Sequence, residues 1–189
     1  MPEALRHLQE EHKNIVRLLD VLANQVDVFD AGERPDYDVL AAIADYFTGF
    51  PDRCHHPKED LILQKLRERD PAAAEAIGDL ETEHERVGEL AGHFKEAVQN
   101  VLDEVEVSRD AFSTVARHFI DYQRKHLQME EQRFFPVART ALSADDWTEI
   151  DRQISQEEDP LFGSAVSAEY AELRDNILKW ESQDEAGKD

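Results

Sequence analysis

A single cysteine, Cys54, rules out a disulfide within the chain and fits a reducing compartment. Glycine and proline are equally sparse, seven of each in 189 residues, so long stretches run without punctuation. No segment alternates with the period of a strand, and there is no low-complexity tract or convincing internal repeat. No apolar run approaches the roughly 20 residues that a membrane-spanning helix needs. The opening MPEALRHLQEEHK has no apolar core, so no signal peptide is expected. Positive charge is the other shortage. Lys and Arg number 21 against 43 Asp and Glu, a net charge of −22. Such a field repels phosphate, which excludes nucleic acid and anionic membrane as partners. The expectation is a soluble, cytoplasmic protein with a solubilising acidic surface.

What is present is a chain rich in Ala, Glu, Leu and Arg, 41% apolar, with its apolar residues at helical spacing. That periodicity argues against disorder despite the charge. Ala31–Pro35 reads as a turn, Asp70-Pro71 as an N-cap with proline at the first helical position, and Ser108 and Ser143 as further N-caps. The predicted class is all-α. Four long helices are expected near 3–30, 36–68, 71–105 and 109–141, forming an up-down-up-down four-helix bundle over residues 1–142. Pro51 and Pro57 should bend the second helix. Residues 143–189 are expected to form a C-terminal helical extension, with helices near 144–156 and 166–182. Trp147, Ile150, Ile154, Leu161, Phe162, Leu173, Ile177 and Trp180 give this extension apolar stripes, to pack on the bundle or at a dimer contact.

Each of the four long stripes turns polar at one place. Helix one runs Leu5, Leu8, His12, Ile15, Leu19. Helix two runs Phe47, Pro51, His55, Glu59, Ile62. Helix three runs Ile77, Leu80, His84, Val87, Ala91. Helix four runs Phe119, Tyr122, His126, Met129, with Glu130 alongside. A single inward histidine is usually a hydrogen-bonded core residue. Four of them, one per helix, with two inward carboxylates, need another explanation, because a buried carboxylate costs several kcal/mol unless a cation compensates it. His55/Glu59 and His126/Glu130 repeat H-x3-E, and positions i and i+4 share a helix face. In an antiparallel bundle, His12 and His84 lie early in their helices, and His55 and His126 late in theirs. All four therefore fit one layer. Six ligands, four nitrogens and two carboxylates, suit two metal ions better than one. The absence of thiolate favours iron, then manganese, with zinc as the remaining alternative.

The segments EEHKNI (His12), CHHPKEDLIL (His55, Glu59), ETEHERVG (His84) and KHLQMEEQRFFP (His126, Glu130) resemble the hemerythrin-like, HHE cation-binding family over roughly residues 1–142. The resemblance implies a non-haem di-iron centre. His12 and His55 would bind one iron and His84 and His126 the other, with Glu59 and Glu130 bridging, together with an oxo or hydroxo ligand. The chain departs from the oxygen carriers in two ways. Their fifth histidine, one turn after the third-helix histidine, is Gly88 here. Their second bridging carboxylate, an aspartate at longer spacing, is Glu130 here. The pattern looks like the four-His, two-Glu relatives associated with nitric oxide response, iron-sulfur repair or iron sensing. An open coordination position on the His84/His126 iron is the expected result.

Neighbouring residues admit more than one reading. Glu81 and His84 form E-x-x-H, as in ferritin-like sites, but the matching place before His126 is Gln123. Glu81 is either a hydrogen-bond partner that orients His84 or an ordinary flank acid. Tyr122 either reaches the metal-bound ligand or packs. His56 sits about 100° around the helix from His55, which places it behind the ligands or at the surface. Three functions are consistent with these residues. One is a protein that binds or senses oxygen, nitric oxide or redox state. Another is a di-iron enzyme with peroxidase, catalase-like or nitric oxide-reducing activity. The third is a metal-stabilised interaction protein. The expected partner is a small diatomic ligand or peroxide, and the expected state a monomer or homodimer.

Overall fold

The computed structural model describes residues 1–105, 108–154 and 158–186. The described residues contain helices and no strand. α1 spans Glu3–Asp30 and buries Leu5, Leu8, Ile15, Leu18, Leu19 and Leu22 along one face. Each such side chain contributes about 1.5–3 kcal/mol relative to exposure. The helix stops at Ala31, and Gly32 follows at φ 84°, a conformation that favours glycine. α2 (Tyr37–Phe47) starts under Asp36, whose side chain accepts from the backbone N–H groups of Asp38 and Val39.

The second expected helix is not continuous. After α2 come a π turn, Pro51–His55, and then α3, His56–Arg69. The fourth expected helix breaks the same way into α6 (Arg109–Met129), a π turn at Glu130–Phe134, and α7 (Phe135–Ala141). In each π turn an N–H donates to the carbonyl five residues back, His56 to Pro51 and Phe135 to Glu130. A proline, Pro57 or Pro136, follows one residue later. Proline has no N–H to donate, and its ring collides with the carbonyl four residues back in a regular helix. The wider turn carries that carbonyl aside, so the chain swerves here without ending. The third expected helix is also two. α4 (Pro71–Ile77) ends at Gly78, which takes φ 99°, and Asp79 caps α5 (Leu80–Leu102) by accepting from the Thr82 N–H. The apolar stripe continues through Ile77 and Leu80 and conceals this break from periodicity alone.

The long helices form the ring of an antiparallel bundle: α6 packs against α5 and α1, and α2 against α5. The core is divided. One apolar cluster gathers Ile15, Leu19, Phe47, Phe50, Leu90, Phe94 and Phe119. The other gathers Leu8, Ile62, Leu66, Leu80, Phe134 and Phe135. The polar stripe positions fall between the two.

Described residues after 142 contribute to both apolar clusters. α8 (Ala144–Gln153) begins with a Ser143/Asp146 capping box, and its Trp147 and Ile150, with Ile154, join the second cluster. A 3-10 turn, Ala168–Tyr170, precedes α9, Ala171–Ala186, where a helix was expected from 166. Leu161, Tyr170, Leu173 and Ile177 join the first cluster, with Phe162 against it. The Tyr46 hydroxyl donates to the buried carboxylate of Asp159 at 2.8 Å. Trp180 lies outside the described side chains. Among the described residues, no helix is long and apolar enough to cross a membrane.

Candidate metal centre

α1 delivers His12, the first π turn delivers His55, α3 Glu59, α5 His84, α6 His126, and the second π turn Glu130. All six are buried, and Glu59 and Glu130 are 0% exposed. The two carboxylates lie between two pairs of imidazoles. Glu59 Oε1 is 3.5 Å from His12 Nε2 and 3.6 Å from His55 Nε2, while its Oε2 is 3.3 Å from His84 Nε2. Glu130 repeats the division: Oε2 is 3.5 Å from His12 Nε2, and Oε1 is 3.4 Å from His84 Nε2 and 2.9 Å from His126 Nε2. Each carboxylate thus turns one oxygen to the His12/His55 side and the other to the His84/His126 side. Neither oxygen of Glu59 accepts a hydrogen bond.

The imidazoles are aimed by further carboxylates. His12 Nδ1 is 2.9 Å from Glu131 Oε1, and His55 Nδ1 is 2.8 Å from Glu11 Oε2. With Nδ1–H donating to a carboxylate, each ring presents Nε2 inward, the arrangement that prepares histidine for a metal. His12 Nε2 and His55 Nε2 face each other at 3.1 Å. Two lone pairs repel at that distance, so a positive charge belongs between them, either a proton or a metal ion. Lys58, itself buried, donates to the other oxygen of Glu11. His84 Nδ1 is 3.4 Å from Asp60 Oδ1.

The metal-free electrostatics follow from this crowding. Burial pushes the Glu59 carboxyl up, but His55, His12 and His84 overcome it and hold the group well below the usual carboxylate range. Burial pushes the His12 imidazolium down, yet the hydrogen bond to Glu131 and the nearby Glu59 and Glu130 carboxylates raise it to about 10. For His84, burial also acts downward, and Asp60, Glu130 and Glu59 raise it to about 11. Both rings are therefore protonated at pH 7 when no metal is bound. Coordination needs neutral imidazole. Metal uptake at pH 7 is accordingly expected to release one proton from His12 and one from His84. Affinity should rise with pH until the medium passes those values. Calorimetric titration in buffers of different ionisation enthalpy measures the release, and a pH-independent affinity with no proton release would contradict this reading.

Other sequence candidates lie elsewhere. Glu81 is half exposed and accepts from Arg67 at 2.7 Å, so it does not orient His84. Tyr122 donates its hydroxyl to the exposed Glu83 at 2.7 Å. Cys54 is buried among apolar residues of the first cluster. His56 is drawn inward. Among the described residues two groups could hold a cation: His12, His55, Glu59 and Glu130, and His56, Glu59, His84 and His126, each with ligand atoms within 4.8 Å of one another. Glu11, Glu131, Lys58 and Asp60 escaped the sequence reading. Glu11 precedes a stripe histidine and Glu131 follows a stripe carboxylate. Adjacency of that kind ordinarily means a solvated flank.

Residues 3–138 match the family model described as the Hemerythrin HHE cation binding domain. The match covers well over half of the chain, and the chain belongs to that family. The comparisons with curated proteins and with solved structures found no match.

Proposed function

We propose that the chain holds a non-haem di-iron centre and uses it to bind or sense a small oxidant or diatomic molecule such as oxygen, nitric oxide or peroxide. The observation that carries this reading is the Glu59 carboxylate. It is fully buried, neither oxygen accepts a hydrogen bond, and its two oxygens face different imidazole pairs. Two cations would answer both the charge and the division: His12 and His55 would hold one, His84 and His126 the other, and Glu59 and Glu130 would serve both. The nitrogen and carboxylate donors suit iron, with manganese and zinc as alternatives. Two iron or manganese ions would supply a redox-active pair able to take up a small ligand and exchange electrons with it, whereas zinc would not.

The protein's own part is positional. Glu11 and Glu131 hold Nδ1 protons so that Nε2 stays directed inward. The two apolar clusters flank the layer on either side. Glu59 and Glu130 offset only half the charge of two divalent ions, which favours an anionic or electron-accepting ligand.

Protein expressed with iron and purified without chelator is expected to carry about two iron ions per chain. It should show charge-transfer absorption that changes on anaerobic addition of nitric oxide or peroxide. Folded wild type that stays metal-free and colourless after incubation with iron(II) would sink the reading. Sustained turnover of peroxide or nitric oxide, lost in Glu59→Ala, would make the protein an enzyme instead.

A further inference from the structure

The di-iron reading leaves one buried imidazole without a task. His56 is only 4% exposed, and its Nε2 is buried with no hydrogen-bond partner. Its Nδ1 is 3.1 Å from Asp52 Oδ1, so Nδ1–H donates there and Nε2 carries the free lone pair. The ring lies parallel to that of His84, with centroids 4.1 Å apart and planes 7° apart, and stands edge-on to His126 at 6.1 Å. One of its ring nitrogens lies within 4.8 Å of ligand atoms of Glu59, His84 and His126. This is the same arrangement that serves His12 and His55: a carboxylate on Nδ1, and Nε2 left for something else.

The local backbone explains why His56 is there. In an unbroken α-helix, adjacent residues diverge by about 100°, and a single site takes one of them. The π turn ending at His55 rotates the pair so that the centre lies between them. His55 joins Glu59 on the His12 side, and His56 joins Glu59 on the His84 side. Gly88 completes the arrangement. A Cβ at that position would already touch Asp52 Oδ2 at 3.4 Å, so a longer side chain there would press on the carboxylate that aims His56.

We propose that His56 is a ligand of the centre, binding through Nε2 on the His84/His126 side. The proposal rests on the di-metal reading and corrects the expectation of an open position there. With His56 engaged, that side holds three imidazoles and the His12/His55 side two. The position free for an external ligand therefore shifts to the His12/His55 ion.

Anaerobic titration of the full chain with cobalt(II) tests this, using wild type, His56→Ala and His56→Gln. The expected result is two cobalt ions in wild type. In both variants one of the two should bind weaker by about 100-fold or more, beyond the loss typical of an outer partner, and its visible ligand-field band should shift. Added imidazole should restore affinity in His56→Ala. Two cobalt ions bound by both variants with unchanged affinity and spectrum would overturn the proposal and leave the di-metal reading standing. Wild type that takes up no cobalt would overturn both. If the variants do not fold, NMR of cobalt-loaded wild type decides. A contact-shifted Nδ1 proton on His56 supports coordination, and a His56 ring without contact shift overturns it.

Discussion

Glu59→Gln is expected to abolish loading at both candidate metal positions and to lower the stability of the metal-free fold at pH 7. Glu59 is common to the two candidate cation groups, and each of its oxygens faces a different imidazole pair. Removing its charge therefore removes a donor from both ions at once. In the metal-free chain the burial cost of the Glu59 carboxylate is outweighed by His55, His12 and His84, which hold it well below the usual carboxylate range, so the charged group adds stability at pH 7. A neutral amide of the same size removes that attraction and leaves protonated His12 and His84 with less counter-charge. The signature is a lost difference between loaded and unloaded protein. Metal at a thousandfold excess over its dissociation constant stabilises by about 4 kcal/mol, which is about 10 °C in melting temperature for a chain of this length. Thermal unfolding with and without iron(II) should show that rise in wild type and none in Glu59→Gln. A variant that still takes up both ions and keeps the rise would remove Glu59 from the bridging role.

Lys58→Met is expected to cost about 3–5 kcal/mol even without metal. Lys58 is 4% exposed and donates to Glu11, whose other oxygen accepts from His55. Burial pushes the Glu11 carboxyl up, and it stays below the ordinary carboxylate range because His55 and Lys58 outweigh that burial. Without the ammonium, Glu11 becomes a buried charge with one partner, or takes up a proton and releases His55. The partner change separates the two parts of the cost. Lys58→Met combined with Glu11→Gln removes the whole pair and should recover much of the loss, as replacement of buried ion pairs by neutral groups does. Urea denaturation of the single and double variants measures this. A Lys58→Met variant within about 1 kcal/mol of wild type would mean that the pair behaves as a solvent-exposed one.

The six polar stripe positions were legible because a period of 3.6 residues puts them on inward faces, and antiparallel connection puts them at one depth. That reasoning needs only a regular helix, and it holds through α1, α5 and α6. It fails for His56, because a π turn breaks the period at the residues where orientation matters. Pro51 and Pro57 announced a disturbance there but not its form. Glu11 and Glu131 were illegible for another reason. Each orients a histidine on a different helix from its own, and a contact between His12 and Glu131 or between His55 and Glu11 leaves no local pattern. The break at Gly78 was hidden because Leu80 resumes the stripe that Ile77 ends.

The two π turns also fix what a change of length would do. Each holds one residue more per turn than the α-helix around it, and each directly precedes a proline-bearing segment that returns to α geometry. Deleting one residue from Pro51–Cys54 would let the helix close its normal ladder, and every side chain before the deletion would swing by about 100° relative to α3. Either Phe47 and Phe50 keep their places in the core and His55 and Glu59 turn away from His12, or the ligands hold and the aromatics turn outward. The surplus residue is thus an indexing element that lets two helical registers, one set by apolar packing and one by the metal layer, coexist on a single segment. A one-residue deletion there should do more damage than any single side-chain replacement in the same turn.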